Sequence, residues 1–428
     1  MPTESKNPSK GKDEQSSSRA PVSIPGAALL AASRDTPIDD LSIIDLVQDI
    51  IESAYQSRAS DIHIDPQEDK VGISFRVDGI MKDISTVSKK LHPSIISRLK
   101  VLSGLRTDEH QASQDGRIKF TSARNNLRFD IRLSIMPTYF GENAVMRLLV
   151  EVGEQFTLEN LGFSERDLEI VKEAISDPYG MILSTGPTGS GKTTTLYTML
   201  KILNSPTVTV ITIEDPIEYS MAGITQVQVN HSVGIDFANG LRSILRQDPN
   251  IIMVGEIRDT EAANIAVNAA LTGHLLLSTL HTNNASTTLP RLIDMGVEPF
   301  LIASTVDIAI GQRLIRKLCT TCREVKSFTP IEFAALQRSL SMVTPTDKFY
   351  YGKGCPECDG TGYKGRMAIY EVLQVSPKVR EAISARANSD EIENIAIAEG
   401  MTTMLQDGIA KAKAGLTSIE EILRVMHE

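Results

Sequence analysis

The sequence predicts an α/β protein: a phosphate-loop domain with a mostly parallel sheet, preceded by a smaller α+β domain and followed by a metal-binding element and C-terminal helices. Three observations carry this. Residues 186 to 193 read Gly-Pro-Thr-Gly-Ser-Gly-Lys-Thr, a Gly, four residues, then Gly-Lys-Thr, set between an apolar run and a helical stretch. Beyond it, short apolar runs at 208–213, 251–254 and 275–280 alternate with helical segments, as in a parallel sheet flanked by helices. Ahead of it, from Ser60, apolar residues recur at every second position, the mark of half-buried strands.

Taken in order, residues 1–37 are rich in Ser, Lys, Pro and Gly and poor in large apolar residues, so a disordered tail is expected. Ile43, Leu46, Val47, Ile50 and Ile51 then recur at helical spacing and open an α+β domain over 38–150. Its strands are expected at Ser60–Asp65, at Val71–Val77 before the Asp78-Gly79 turn, at Arg117–Phe120 and at Leu127–Ser134, with a helix near Ser94–Leu102. His63, between Asp61 and Asp65, reads as a solvent-facing or hydrogen-bonded strand residue rather than a metal ligand, because no further ligand stands at ligand spacing. A polar linker over 151–160 leads to the phosphate-loop domain at 161–312. The element carrying the cysteines occupies 313–370 and a helical region 371–428, whose Ser418-Ile419-Glu420-Glu421 spelling caps a last helix.

The loop fixes the chemistry. Gly186, Gly189 and Gly191 let the backbone curl so that successive N–H groups and the following helix N-terminus point at one anion. The ligand is expected to be ATP, contacted along Gly186, Pro187, Thr188, Gly189, Ser190, Gly191, Lys192, Thr193 and Thr194, with Lys192 on the terminal phosphates and the Thr193 hydroxyl on Mg²⁺. Glu214 ends the next strand and is expected to help position water bound to Mg²⁺. Glu256 closes the apolar strand Ile251–Val254, the form of a Walker B segment, and is the candidate general base. His274 and His281 bracket a buried strand, and either is placed to sense the γ-phosphate.

All four cysteines fall into two Cys-x-x-Cys pairs, Cys319/Cys322 and Cys355/Cys358. They suit one tetrahedral Zn²⁺ with no open position, a structural rather than catalytic metal. Thirty-two residues separate the pairs, compatible with a finger that carries an insert. A net charge of −10 argues against direct nucleic-acid binding. No apolar run reaches the length of a membrane span and no signal pattern opens the chain, so a cytoplasmic location is expected.

With these motifs in order, the chain from about 38 to 428 resembles the secretion ATPases of type II secretion and type IV pilus assembly, the GspE/PilB-like group. The likeness rests on Ala59-Ser60-Asp61-Ile62-His63-Ile64, Gln114-Asp115-Gly116-Arg117, the phosphate loop, Ile213-Glu214-Asp215-Pro216, Leu245-Arg246-Gln247-Asp248-Pro249 leading to Gly255-Glu256-Ile257-Arg258-Asp259, and the two-histidine box. The resemblance implies a RecA-like ATPase domain, with Glu214 in an Asp box, Glu256 as Walker B acid, and His274 and His281 as the His box. It implies that Arg117 and Arg132 approach the γ-phosphate when the first domain closes on the second. It further implies a homo-hexamer, peripheral at the inner face of the cytoplasmic membrane through a polytopic inner-membrane platform protein. The cysteine element resembles that of assembly motors rather than retraction motors. Two departures stand out: only the short tail precedes residue 38, where assembly motors commonly carry a further docking domain, and Asn250 replaces the usual Asp.

Overall fold

Two sheets organise the chain, and each follows from where its apolar residues fall. In the computed structural model, which describes residues 42–122, 125–149, 156–340 and 342–427, the helix Ile43–Gln56 starts at Ser42, whose hydroxyl accepts the Asp45 N–H. It buries Leu46, Val47, Ile50 and Ile51 against a six-stranded antiparallel sheet ordered β3-β2-β1-β6-β5-β4. These strands are β1 (Ala59–Pro66), β2 (Lys70–Val77), β3 (Ile80–Ser88), β4 (Gln114–Ser122), β5 (Leu127–Thr138) and β6 (Gly141–Leu149). A second helix, His92–Ser103, packs on the same face, so Ile62, Ile64, Ile118, Ile131, Leu133 and Met146 are buried between layers. The opposite face carries the polar residues of the alternation. Asp78 and Gly79 have φ of 51° and 85°, the left-handed pair that a two-residue hairpin requires. Strands β3 and β6 are absent from the sequence expectation. The expected tail, and residues 150–155 at the start of the linker, lie outside the described residues.

The second sheet has the order β15-β12-β7-β11-β10-β8-β9 and is parallel except where β15 joins β12. It comprises β7 (Gly180–Thr185), β8 (Val210–Glu214), β9 (Thr225–Gln228), β10 (Ile251–Val254), β11 (Leu275–Leu280), β12 (Val306–Leu318) and β15 (Tyr363–Gln374). Its central strands are buried throughout because helices cover both faces: Met181, Leu183, Ile252 and Leu276 face one layer, Ile182, Met253 and Leu277 the other. This is the α/β fold expected, with one revision of its extent. Strands β12 and β15 run straight across positions 312 and 370, so the cysteine element emerges from strands of the central sheet rather than after it.

That element comprises β13 (Arg323–Lys326), the helix Pro330–Ser339, β14 (Phe349–Gly352) and a short turn at Pro356–Cys358. It shares a small core with the last helices through Phe349, Ile409, Ile419 and Ile422. Contact with the first sheet is made at the hairpin tip, where Asp78 accepts the Gly365 N–H at 3.0 Å. No helix among the described residues is long and apolar enough to cross a membrane.

Candidate active site and zinc centre

Strands β7, β8, β10 and β11 end side by side, and their carboxyl edge with the phosphate loop forms one wall of a cleft of about 870 Å³. The loop turns at Gly186, Gly189 and Gly191 with φ of 142°, 80° and 93°. A side chain at Gly186 would collide with the Gln312 carbonyl at 2.4 Å, so that close approach demands glycine. The helix Lys192–Leu203 follows directly, with Thr193 exposed at its start. Lys192 donates to the carbonyls of Gly186 at 2.7 Å and Pro187 at 3.1 Å. Burial lowers its pKa, partly offset by the charge of Glu256.

Glu256 is held from two sides. Arg258 pairs with one carboxylate oxygen, and His281 Nε2 stands 3.1 Å from the other. Burial works to raise its pKa, but Arg258 and His281 outweigh it, and the carboxyl titrates below its ordinary value. Glu214 differs in kind. It is buried, accepts hydrogen bonds from Tyr197 and, at 2.5 and 3.1 Å, from Thr212 and Gln226, and burial raises its pKa. Its neighbour Asp215, 3.6 Å from Arg258, is the more open acid at this edge.

The two histidines do not stay together. His281 lines the cleft, whereas His274 sits at the other end of β11, level with the start of β7, and binds the Ala269 carbonyl at 2.8 Å. Seven residue steps of extended chain, across the six residues of β11, separate them by roughly 23 Å. Within this chain, then, the expectation that either could sense the γ-phosphate narrows to His281.

The facing wall comes from the first sheet. Register places Arg117, Arg132, Arg147, Asp61 and Arg76 in one line across β4, β5, β6, β1 and β2, all on the open face. Arg147 Nε lies 2.9 Å from Asp61 Oδ1, and Arg76 Nε 3.5 Å from Oδ2. Arg76, Asp61 and Arg147 line the cleft. Arg132 and Arg117 stand one and two strands further along the row, outside the lining, and Arg117 pairs with Asp130 at 2.7 Å. Arg117 and Arg132, the two expected from the sequence, thus share the face of Arg147 and Arg76, which stand nearer the cleft and were not singled out. Arg147 escaped notice because β6 did, although its alternation Ala144, Met146, Leu148 was the available signal.

The walls differ in charge: Glu214, Asp215, Glu218 and Glu256 on the sheet edge, arginines opposite. A Mg²⁺-bound triphosphate fits such a division, with metal toward the acids and phosphate oxygens toward the cations.

The four cysteines converge. None is in a disulfide, and their Sγ atoms all lie within 4.8 Å of one another, with Cys319–Cys355 and Cys322–Cys358 each at 3.8 Å. Tetrahedral Zn²⁺ with Zn–S near 2.3 Å requires sulfur separations of roughly 3.8 Å, so the set fits. The N–H groups of Cys355 and Gly362 each point at Cys358 Sγ from 3.2 Å, and such donors favour the charged sulfur that a metal needs.

The family model described as type II/IV secretion system protein matches residues 37–424. The type IV pilus assembly ATPase PilB of Myxococcus xanthus is 45% identical over 390 residues, covering 90% of this chain and 68% of that protein. A putative type II secretion system protein E of Escherichia coli is 44% identical over 405 residues, 93% of this chain and 81% of its own length. Among solved structures, the pilus retraction motor PilT with bound ADP is 26% identical, with a TM-score of 0.60 over 88% of this chain and 95% of its own. The Legionella pneumophila ATPase DotB shares the fold at 22% identity, with a TM-score of 0.66 over 91% and 97% of the two chains.

Proposed function

Because the chain belongs to the type II/IV secretion system family, whose relatives include named ATPases, we propose that it is a motor that converts ATP hydrolysis into motion of its first sheet against its second. The observation that carries this is the shared cleft, with Lys192 and Glu256 on one sheet and Arg147 and Arg76 on another. In this reading free N–H groups of the loop and the Lys192 ammonium bind the phosphates, and Thr193 with the nearby acids holds Mg²⁺, which neutralises charge on the phosphate oxygens. Glu256 takes the proton of the attacking water, and His281 orients that carboxylate. Closure brings the arginine row onto the γ-phosphate, Arg147 first, with Arg132 and Arg117 following along the same face.

The relatives' names supply the machinery, and the family resemblance supplies the ring, its location and its partner. We place the protein as a cytoplasmic ring of six copies at the membrane's inner face, driving assembly of a type IV pilus or type II pseudopilus through an inner-membrane platform protein. Cys319, Cys322, Cys355 and Cys358 hold a structural Zn²⁺ that stabilises the element between β12 and β15. Phosphate release by the full-length protein with Mg²⁺ and ATP, combined with crosslinking in cells to the platform protein, tests the proposal. Absence of turnover in the assembled protein would favour a nucleotide-sensing scaffold instead. The likeness to a retraction motor motivates a second reading, and the two separate by phenotype: loss of the chain abolishes fibres if it assembles them and leaves them in excess if it retracts them.

A further inference from the structure

Strand β12 runs parallel beside β7, and Gly311 pairs with Thr185, the last residue before the phosphate loop. Gln312 therefore arrives beneath the loop where it leaves its strand. Its side chain is fully buried and uses both ends of its amide: Oε1 accepts from the Ser184 hydroxyl at 3.1 Å, and Nε2 donates to the Ser190 carbonyl at 2.9 Å. The fit is tight on the far side as well, since a Cβ on Gly191 would stand 3.2 Å from Nε2.

We propose that Gln312 is a positioning residue for phosphate binding: by holding the Ser190 carbonyl down, it turns the next N–H, that of Gly191, up toward the ligand. A trans peptide is planar with its C=O and N–H pointing in opposite directions, so fixing one fixes the other. A loop that binds an anion through successive N–H groups depends on each peptide plane facing the right way, and a free Ser190–Gly191 plane can rotate its carbonyl toward the phosphate instead. The Ser190 carbonyl, which can only accept, selects the amide orientation that presents Nε2, and the Ser184 hydroxyl satisfies Oε1 at the other end. A carboxylate in its place has no donor and faces a carbonyl; a protonated carboxyl has one O–H and restores the contact.

The inference rests on the phosphate-loop reading and is tested so that the two can fail separately. Binding of a fluorescent ATP analogue with Mg²⁺ to the full chain is titrated at pH 8 and pH 6 for wild type, Gln312→Glu and Gln312→Met. At pH 8, Gln312→Glu is expected to bind about tenfold more weakly than wild type, since a buried carbonyl loses its donor. Burial raises the new carboxyl's pKa, so at pH 6 it gains a proton and the deficit shrinks to about threefold or less. Gln312→Met, similar in shape but without a donor, is expected to show the deficit equally at both pH values, and if Gln312→Glu does not fold, the Met variant still overturns the inference by binding as wild type does. A loss confined to general packing gives Glu and Met variants with the same pH-independent deficit, and that result overturns the inference, as does Gln312→Met binding within about twofold of wild type. Wild-type protein that fails to bind the analogue overturns the phosphate-loop reading and this inference with it.

Discussion

His281 Nε2 stands 3.1 Å from Glu256 Oε2, joining the residue after β11 to the second residue after β10, with Arg258 on the carboxylate's other oxygen. The candidate base is thereby held at the cleft by two neighbours from the same edge of one sheet. Replacing Glu256 by Gln keeps the shape and removes the base, so nucleotide binding is expected to persist while turnover falls by roughly 100-fold or more. Paired binding and phosphate-release assays check this, and unchanged turnover removes Glu256 from the mechanism.

The same contacts set a pH dependence. Burial alone would raise the Glu256 pKa, and Arg258 with His281 reverses it, so the carboxylate stays ionised to lower pH than usual. Taking away Arg258 leaves burial unopposed on that side. The acid limb of the rate against pH is therefore expected to move to higher pH in Arg258→Ala, and by less in His281→Ala. Profiles that coincide with wild type on the acid side contradict this balance. His274→Ala, at the other end of β11, is expected to leave that limb in place.

Lys192 reaches into the loop and binds its carbonyls at 2.7 and 3.1 Å. Its removal deletes the charge aimed at the phosphates, and Lys192→Ala is expected to weaken nucleotide binding by about tenfold or more. A titration curve matching wild type would end that assignment.

Much of this was legible in the sequence where the signal is local. The phosphate loop and the acid after Ile251–Val254 are fixed by spacing within a single strand-to-turn unit, and the two cysteine pairs announce themselves by position. What was not legible depended on pairing. Arg147 acquires its place only because β6 lies between β5 and β1, a pairing that the alternation Ala144, Met146, Leu148 does not by itself reveal. Strand β12 begins directly after the helix Pro299–Thr305 with no breaker between them, so periodicity could not separate the two. The burial of Glu214 was equally out of reach, because Tyr197 and Gln226 come to it from a helix and a strand on either side in sequence.

The cysteine cluster makes a separate prediction. Metal analysis of the purified protein is expected to find about one Zn²⁺ per chain. Cys355→Ser removes one ligand from a four-sulfur set, so it is expected to loosen the segment between β12 and β15 and to raise hydrogen exchange there, while exchange in β7 and β10 stays low. Zinc-free protein with the same exchange pattern and stability would contradict a structural metal.

The arginine row orders its members by distance from the cleft. If closure brings that face to the phosphates, single Ala replacements should slow hydrolysis most at Arg147, less at Arg132 and least at Arg117, with roughly 100-fold for the first. Equal effects, or the reverse order, would mean that another part of the first sheet meets the nucleotide.

Nucleotide binding is proposed to close the first sheet on the second through these arginines, and the distance between two labels, at exposed positions 119 and 173 of the full chain, reads that closure. With a non-hydrolysable ATP analogue and Mg²⁺, the distance is expected to change in wild type and in Glu256→Gln, and to remain at its nucleotide-free value in an Arg76→Ala, Arg147→Ala double variant that still binds the analogue. A distance indifferent to nucleotide in wild type, or a double variant that closes as fully as wild type, would contradict the coupling.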